Sequence, residues 1–343
     1  MTTERLTTEL GDILRAGEII RDGGLVAFPT ETVYGLGANA LDAEAVRSVY
    51  RAKGRPSDNP MIVHIADLRG LYPLVRGGKD GVPEAALKAA GRIWPGPLTM
   101  IFPKSDMVPY ATTGGLETVA VRMPSNETAR RLIAAADRPV AAPSANLSGK
   151  PSPTTAEDVL EDMDGRIEAV IMGEQCEVGI ESTVLDLTGD VPTILRPGVI
   201  TAEVLSEVLG CEVVYYQALF EKPEETADPE DGVAHTEFRP KSPGMKYKHY
   251  SPKARVILIE GTDEDFNKKA KVAGIAAIRR GLKPAVIDYG EDERKAAHDL
   301  FADLRELDRQ GYDIIYIRTL EESGLGFSVM NRMLKSAGYD VVK

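Results

Sequence analysis

Two spacings of apolar residues alternate along the first part of this chain. At 8–21, TELGDILRAGEIIR places Leu10, Ile13, Leu14 and Ile20 on one stripe of a 3.6-residue helix, which Gly23 and Gly24 close. Short β-branched and apolar runs then predict strands at 25–28 (LVAF), 61–65 (MIVHI), 98–102 (LTMIF), 118–123 (TVAVRM), 139–144 (PVAAPS), 169–172 (AVIM), 182–187 (STVLDL) and 192–196 (PTILR). Helical periodicity lies between them near 42–53, 83–93, 126–137 and 154–163, the last opening on Thr154 with Glu157 three residues on, a capping-box spacing. So many strands in one region predict one large twisted sheet with helices packed on it.

After Tyr216 the pattern breaks. EKPEETADPED carries six acids and one lysine and reads as solvated coil; HTEFRPKSPGMKYKHYSPKAR, which follows, is basic, aromatic and rich in turn residues. From Arg255 an α/β pattern resumes: RVILIE, a helical stretch, PAVIDYG, the helix ERKAAHDLFADLRELDRQG, IIYIRTL, and a last helix near 327–337. This is the pattern of a smaller Rossmann-like domain, and a length of 343 residues agrees with two domains.

Composition narrows the function. With 41 basic and 53 acidic residues the net charge is −12, which opposes tight non-specific binding of a polyanion, so no direct tight binding of nucleic acid is expected. No apolar run reaches the roughly 20 residues that span a bilayer, and MTTERLTTELGD lacks the regions of a signal peptide; a cytoplasmic protein without a membrane partner is expected. Cys176 and Cys211 have neither a C-x-x-C spacing nor histidines nearby, and both read as structural.

Candidate chemistry gathers where predicted strands end. LVAF breaks into PTETVYGLGANA, read as a hydroxyl-rich turn whose GLGANA matches G-x-G-x-x-A. A dinucleotide loop starts directly after its strand, however, and here six residues separate Phe28 from Gly35. KGRPSDNP sets Lys53 and Arg55 beside Asn59, a plausible phosphate clamp. VAVRMP puts Arg122 inside an apolar strand, where it needs either a ligand anion or an internal carboxylate. APSANLSGKPSPTT and GIESTVLDL…ILRPG add Ser144, Ser152, Glu181, Ser182 and Arg196. His64 stands alone in an apolar strand and by itself reads as a core histidine. Cations, hydroxyls and amides without a nucleophile suit phosphoryl or nucleotidyl transfer run by positioning and charge neutralisation.

In this order, PTETVYGLGANA, KGRPSDNPMIVHI, WPGPLT, VAVRMP, PSANLSGKPSPT and GIESTVLDL resemble the YrdC-type threonylcarbamoyl-AMP synthases. SPGMKYKHYSP and GLGFSVMNRMLKSAG resemble the linker and C-terminal signature of the family's longer form. The resemblance implies an α/β fold with a large mixed sheet in a YrdC-like catalytic domain at 1–212. It further implies a linker at 213–253 crossing the active site and a Rossmann-like C-terminal domain at 254–343. The implied reaction joins L-threonine, bicarbonate and ATP to give threonylcarbamoyl-AMP and pyrophosphate, with Mg²⁺ bridging the phosphates. A downstream threonylcarbamoyl transferase then modifies an adenosine of tRNA. Carried over by motif, Thr32, His64, Arg122, Ala142 and Ser182 serve threonine and its carbamate. Lys53, Arg55, Asn59, Thr118, Ser144, Ser152 and Arg196 serve ATP, with Lys53 and Arg55 as the catalytic pair, and the linker's Tyr247, His249 and Tyr250 reach the nucleotide. The competing readings are a related carbamoyl- or acyl-adenylate enzyme and an RNA-binding module of the same fold.

Overall fold

The computed structural model describes residues 2–220 and 250–343. The acidic coil at 221–231 and most of the basic linker lie outside the described residues. The first region contains strands β1 (Glu4–Leu6), β2 (Val26–Phe28), β3 (Gly35–Asn39), β4 (Ile62–His64), β5 (Leu98–Pro103), β6 (Thr118–Arg122), β7 (Val140–Ala141), β8 (Ala169–Ile171), β9 (Thr183–Asp186), β10 (Thr193–Arg196) and β11 (Val214–Tyr215). Its helices are α1 (Leu10–Arg21), α2 (Ala43–Lys53), α3 (Glu84–Ile93), α4 (Tyr110–Thr113), α5 (Glu127–Ala136), α6 (Ala156–Met163) and α7 (Ala202–Leu209). The strands form one mixed sheet of 11 in the order β1-β8-β2-β3-β7-β4-β6-β5-β9-β10-β11. After the linker come β12 (Arg255–Ile259), α8 (Asp263–Arg279), β13 (Pro284–Ile287), α9 (Glu293–Arg309), β14 (Ile314–Arg318), α10 (Gly324–Ser336) and β15 (Val341–Val342). These four strands pair all-parallel in the order β13-β14-β12-β15.

Several predicted details are corrected. GLGAN is a strand, β3, not a turn, and it pairs antiparallel with both β2 and β7. Its glycines answer to their neighbours: a Cβ on Gly37 would lie 2.8 Å from Phe28 Cε1 and from Val140 Cγ1. The strand predicted at 139–144 shrinks to Val140–Ala141, since Pro139 and Pro143 have no N–H for a ladder. The helix predicted from Thr154 starts at Ala156, and Thr155 is its cap, its side chain accepting from the Asp158 amide. The last helix begins earlier than foreseen, at Gly324, and β1, β11 and β15 were not foreseen.

The apolar stripe of α1 is also different. Leu10 and Leu14 are 60% and 49% exposed, and the helix buries Ile13, Ala16, Gly17, Ile19 and Ile20 instead. The small residues let α1 lie close against α5, where a Cβ on Gly17 would come within 2.6 Å of the Ala135 carbonyl carbon and 2.8 Å of its Cβ. Gly17→Ala is therefore expected to destabilise the chain by about 1–3 kcal/mol through overpacking, outweighing the ~1 kcal/mol that alanine gains in helix propensity. A lowered urea midpoint at unchanged m-value would show it.

The helices of the second sheet meet the first region through ion pairs, those of Arg305 and Arg332 buried. Arg305 on α9 donates to the Pro151 carbonyl and to Asp162 Oδ2 at 2.8 Å, and Arg309 reaches Asp158 at 2.8 Å. Arg332 on α10, fully buried, places its Nε 3.2 Å from Glu181 Oε2 and also donates to the Pro197 carbonyl. Gly179, with φ +81°, lies so close to α9 that a Cβ would stand 2.4 Å from the carbonyl oxygens of Ala297 and His298.

Candidate active site

The site lies along adjacent strands of the large sheet. Register places His64 of β4 beside Arg122 of β6, and Arg122 beside Thr99 of β5. Over this row folds the segment between β2 and β3. There the Thr30 hydroxyl organises a tight turn, accepting from the amides of Thr32 and Val33 and donating to the Val33 carbonyl at 2.6 Å. The turn is tied down by Tyr34 N–H to the Pro153 carbonyl, Val178 N–H to that of Glu31, and Gly179 N–H to that of Thr32.

The resulting cavity is lined by Thr30, Thr32, Val33, Gly35, Arg55, Ile62, His64, Arg122, Ala142, Pro143, Ser144, Asn146, Lys150, Ser152, Glu181, Arg196 and Tyr250. It brings together Thr32, Arg55, His64, Arg122, Ala142, Ser144, Ser152, Glu181, Arg196 and Tyr250, all singled out in the sequence. Lys53, Asn59, Thr118 and Ser182 are not in that lining. Lys53 ends α2 and is buried, its ammonium donating at 2.5 Å to the carbonyls of Ser144 and Asn146, so it braces the loop that carries Ser144. Asn59 is buried; its carbonyl accepts from Arg55 and Tyr50, and its Oδ1 has no hydrogen-bond partner. Thr118 begins β6, paired with Pro103 at the far end of the strand from Arg122. The Ser182 hydroxyl lies 2.8 Å from that of Thr99 and accepts from Arg196 at 3.1 Å. Tyr247 and His249 lie outside the described residues.

Within the cavity lining, Arg122 donates to the Thr32 hydroxyl at 2.9 Å and stands 2.8 Å from the Glu31 carboxylate, so the internal carboxylate considered for this arginine is present. Burial pushes the Glu31 carboxyl up, but the Arg122 guanidinium more than offsets it and holds the group below its ordinary value. His64, with Nδ1 3.2 Å from the Ile62 carbonyl, is pushed down to about 3 by burial and then by Arg122, so it is a neutral imidazole at neutral pH. The same lining carries Arg55, Lys150, Arg196 and the hydroxyls of Ser144 and Ser152, with Arg196 near enough to Arg122 for the two charges to repel. Here Ser152 donates to Glu181 at 2.7 Å. Burial raises the Glu181 carboxyl, but Arg332, Arg196 and the Ser152 bond together leave it below the usual carboxylate range. Tyr250, in the left-handed region at φ 62°, stacks on Phe301 of α9 with ring centroids 5.0 Å apart, and burial drives its phenol upward. A residue of the linker thus lines the cavity and is backed by one of the second sheet's helices.

A family model described as "Telomere recombination" matches residues 18–198, and another described as "Threonylcarbamoyl-AMP synthase, C-terminal domain" matches 200–338. The threonylcarbamoyl-AMP synthase of Pyrococcus abyssi is 47% identical over 96% of this chain and 94% of its own length. That of Bacillus subtilis is 41% identical over 99% of this chain and 97% of its own. This chain belongs to the threonylcarbamoyl-AMP synthase family. The fold agrees: a crystal structure of P. abyssi Sua5 complexed with L-threonine superposes with a TM-score of 0.89 at 44% identity, covering 100% of this chain and 99% of that one.

As a threonylcarbamoyl-AMP synthase family member, the chain is an enzyme of the nucleotidyl-transfer type. The G-x-G-x-x-A match at 35–40 belongs to the interior of a strand, as the packing of Gly37 already shows. Sequence reasoning did not single out Glu31, Asn146, Lys150 or Arg332 as site residues. Asn146 and Lys150 sit inside a motif that was recognised, and Glu31 inside PTET. The signal for Arg332 is a charge among Val329, Met330 and Met333, all buried.

Proposed function

We propose that this cavity holds the two reactants of threonylcarbamoyl-AMP synthesis: threonine, carboxylated on its amine, by Thr32, His64 and Arg122, and ATP by Arg55, Ser144, Ser152 and Arg196. The observation that carries the assignment is that one cavity is lined both by a neutral imidazole with a hydroxyl-bonded arginine and by a cluster of further cations and hydroxyls. Threonine's amine reacts with bicarbonate to give the carbamate and water. One carbamate oxygen attacks the α-phosphorus of ATP, and the bond from that phosphorus to the β-phosphate bridging oxygen breaks to release pyrophosphate. Arg122 meets the substrate carboxylate, and the Thr32 hydroxyl faces the threonine side chain. Neutral His64 offers a hydrogen bond without adding a charge beside the amine. Arg55 and Arg196 stabilise the charge that grows on the leaving pyrophosphate.

Mg²⁺ fits as an ion carried by the phosphates. No cluster of three or more His, Cys, Asp or Glu among the described residues could hold a metal, and the cavity's carboxylate, Glu181, is already engaged by Ser152 and Arg332. Bound there, the ion would supply charge neutralisation at the phosphates. No helix of the described residues is long and apolar enough to cross a membrane. The cytoplasm and hand-over of the product to a tRNA threonylcarbamoyl transferase complete the reading.

Pyrophosphate release is expected to require threonine, bicarbonate, ATP and Mg²⁺ together, measured by omitting each in turn. Valine should be rejected strongly, because a site that hydrogen-bonds the hydroxyl is left with unpaired buried groups. Serine, lacking one methyl, should lose roughly 10- to 200-fold in kcat/KM. Equal turnover of threonine and valine would refute the substrate assignment.

A further inference from the structure

We infer that Glu31 is a positioning residue for threonine recognition, acting through Arg122; the inference rests on the reading of Arg122 as part of the threonine site. Glu31 is buried and does not itself line the cavity, whereas its neighbours Thr30, Thr32 and Val33 do. Its carboxylate Oε1 stands 2.8 Å from Arg122 Nη2, while Arg122 Nη1 donates to the Thr32 hydroxyl at 2.9 Å. The guanidinium plane is therefore held on two of its edges by adjacent residues of one turn. Arg122 Nε and Nη2 and both Glu31 carboxylate oxygens are buried without a hydrogen-bond partner, so the Glu31 contact is an ion pair outside hydrogen-bonding geometry. The guanidinium therefore keeps N–H donors that no protein acceptor takes.

A free arginine in a cavity would lose side-chain entropy each time it gripped a carboxylate. Here the ordering is already done in the empty site. The position of Glu31 is in turn set by main-chain bonds: the Thr30 turn precedes it, and its own carbonyl accepts from the Val178 amide at 2.8 Å. Glu31 also balances the buried charge, so that the arginine has a partner before threonine arrives. Its effect should accordingly fall on threonine and spare ATP, since the ion pair of Glu31 is with Arg122 and not with Arg55 or Arg196.

The test is steady-state pyrophosphate release by Glu31→Gln, with KM measured separately for threonine and ATP and the melting temperature recorded. The amide keeps the shape and removes the charge. Threonine KM is expected to rise at least tenfold, with ATP KM within about twofold of the parent; Glu31→Asp, which keeps the charge on a shorter arm, should recover part of the loss. If Glu31→Gln does not fold, Glu31→Asp decides, with an expected rise of at least threefold in threonine KM alone. An unchanged threonine KM, tighter threonine binding, or equal losses for both ligands would overturn the positioning role. A parent enzyme whose turnover ignored threonine would instead overturn the functional reading, and the role of Glu31 with it.

Discussion

Arg332→Ala is expected to cost about 3–5 kcal/mol of stability, the range for removing one partner of a buried ion pair, and to depress turnover with it. The residue is fully buried, and its loss would leave the Glu181 carboxylate with Arg196, Ser152 and Tyr250 around it. The effect has a sign in pH. In the parent, Glu181 is held below its ordinary value of 4.5, so its contribution is complete above that pH and is lost as pH falls through the depressed folded value. Without Arg332 the burial contribution raises the carboxyl, so the loss of stability that Glu181 contributes on acidification shrinks or reverses, and the stability gap between variant and parent should narrow as pH falls. Melting temperature across a pH series checks both statements. A variant with parental stability at every pH would show that the buried pair contributes nothing.

Arg122→Ala should separate binding from folding. Losing a charge-assisted contact to the substrate carboxylate is expected to weaken threonine by on the order of 1.5–3 kcal/mol, with ATP affected far less. Arg55→Ala should show the opposite preference. Arg122→Ala also strands the Glu31 carboxylate, so stability should fall as well. The double variant Arg122→Ala/Glu31→Gln resolves the two effects: it should regain most of the stability without regaining threonine affinity. Calorimetric titration of each ligand, with thermal melts alongside, is the measurement. If the double variant recovers threonine binding, Arg122 is a structural partner of Glu31 and nothing more.

The strands rich in Val, Ile and Leu were legible almost to the residue, because β-branched runs bounded by Gly and Pro admit few other readings; 98–102 became Leu98–Pro103 and 192–196 became Thr193–Arg196. The glycine strand β3 was not legible. Its composition answers to Phe28 and Val140 on the neighbouring strands, and local propensity carries no trace of them. The α1 stripe failed for a related reason: Leu10 and Leu14 look like core residues, but close approach to α5 gave the buried face to Ala16 and Gly17. Site motifs were legible as motifs, since hydroxyls and cations at strand ends stand out against apolar runs. What each residue holds was not. The Lys53 ammonium, read as a phosphate ligand, is bound by two carbonyls of the loop bearing Ser144, and that contact joins segments about ninety residues apart. The partners of Glu31 and Glu181 are likewise distant in sequence and set only by folding.

The pairing of Glu181 with Arg332 also bears on how the protein is made. The two residues are separated by 151 positions, and a ribosome adding roughly 5–20 residues per second needs about 8–30 s to cover that distance. Throughout that interval the nascent first domain can form its large sheet, but Asp162 still lacks Arg305 and Glu181 still lacks Arg332. Synthesis of α9 and α10 is therefore the step that supplies these two arginines, and a ribosome stalled before α10 would hold a fully translated large sheet whose buried Glu181 still lacks its ion-pair partner.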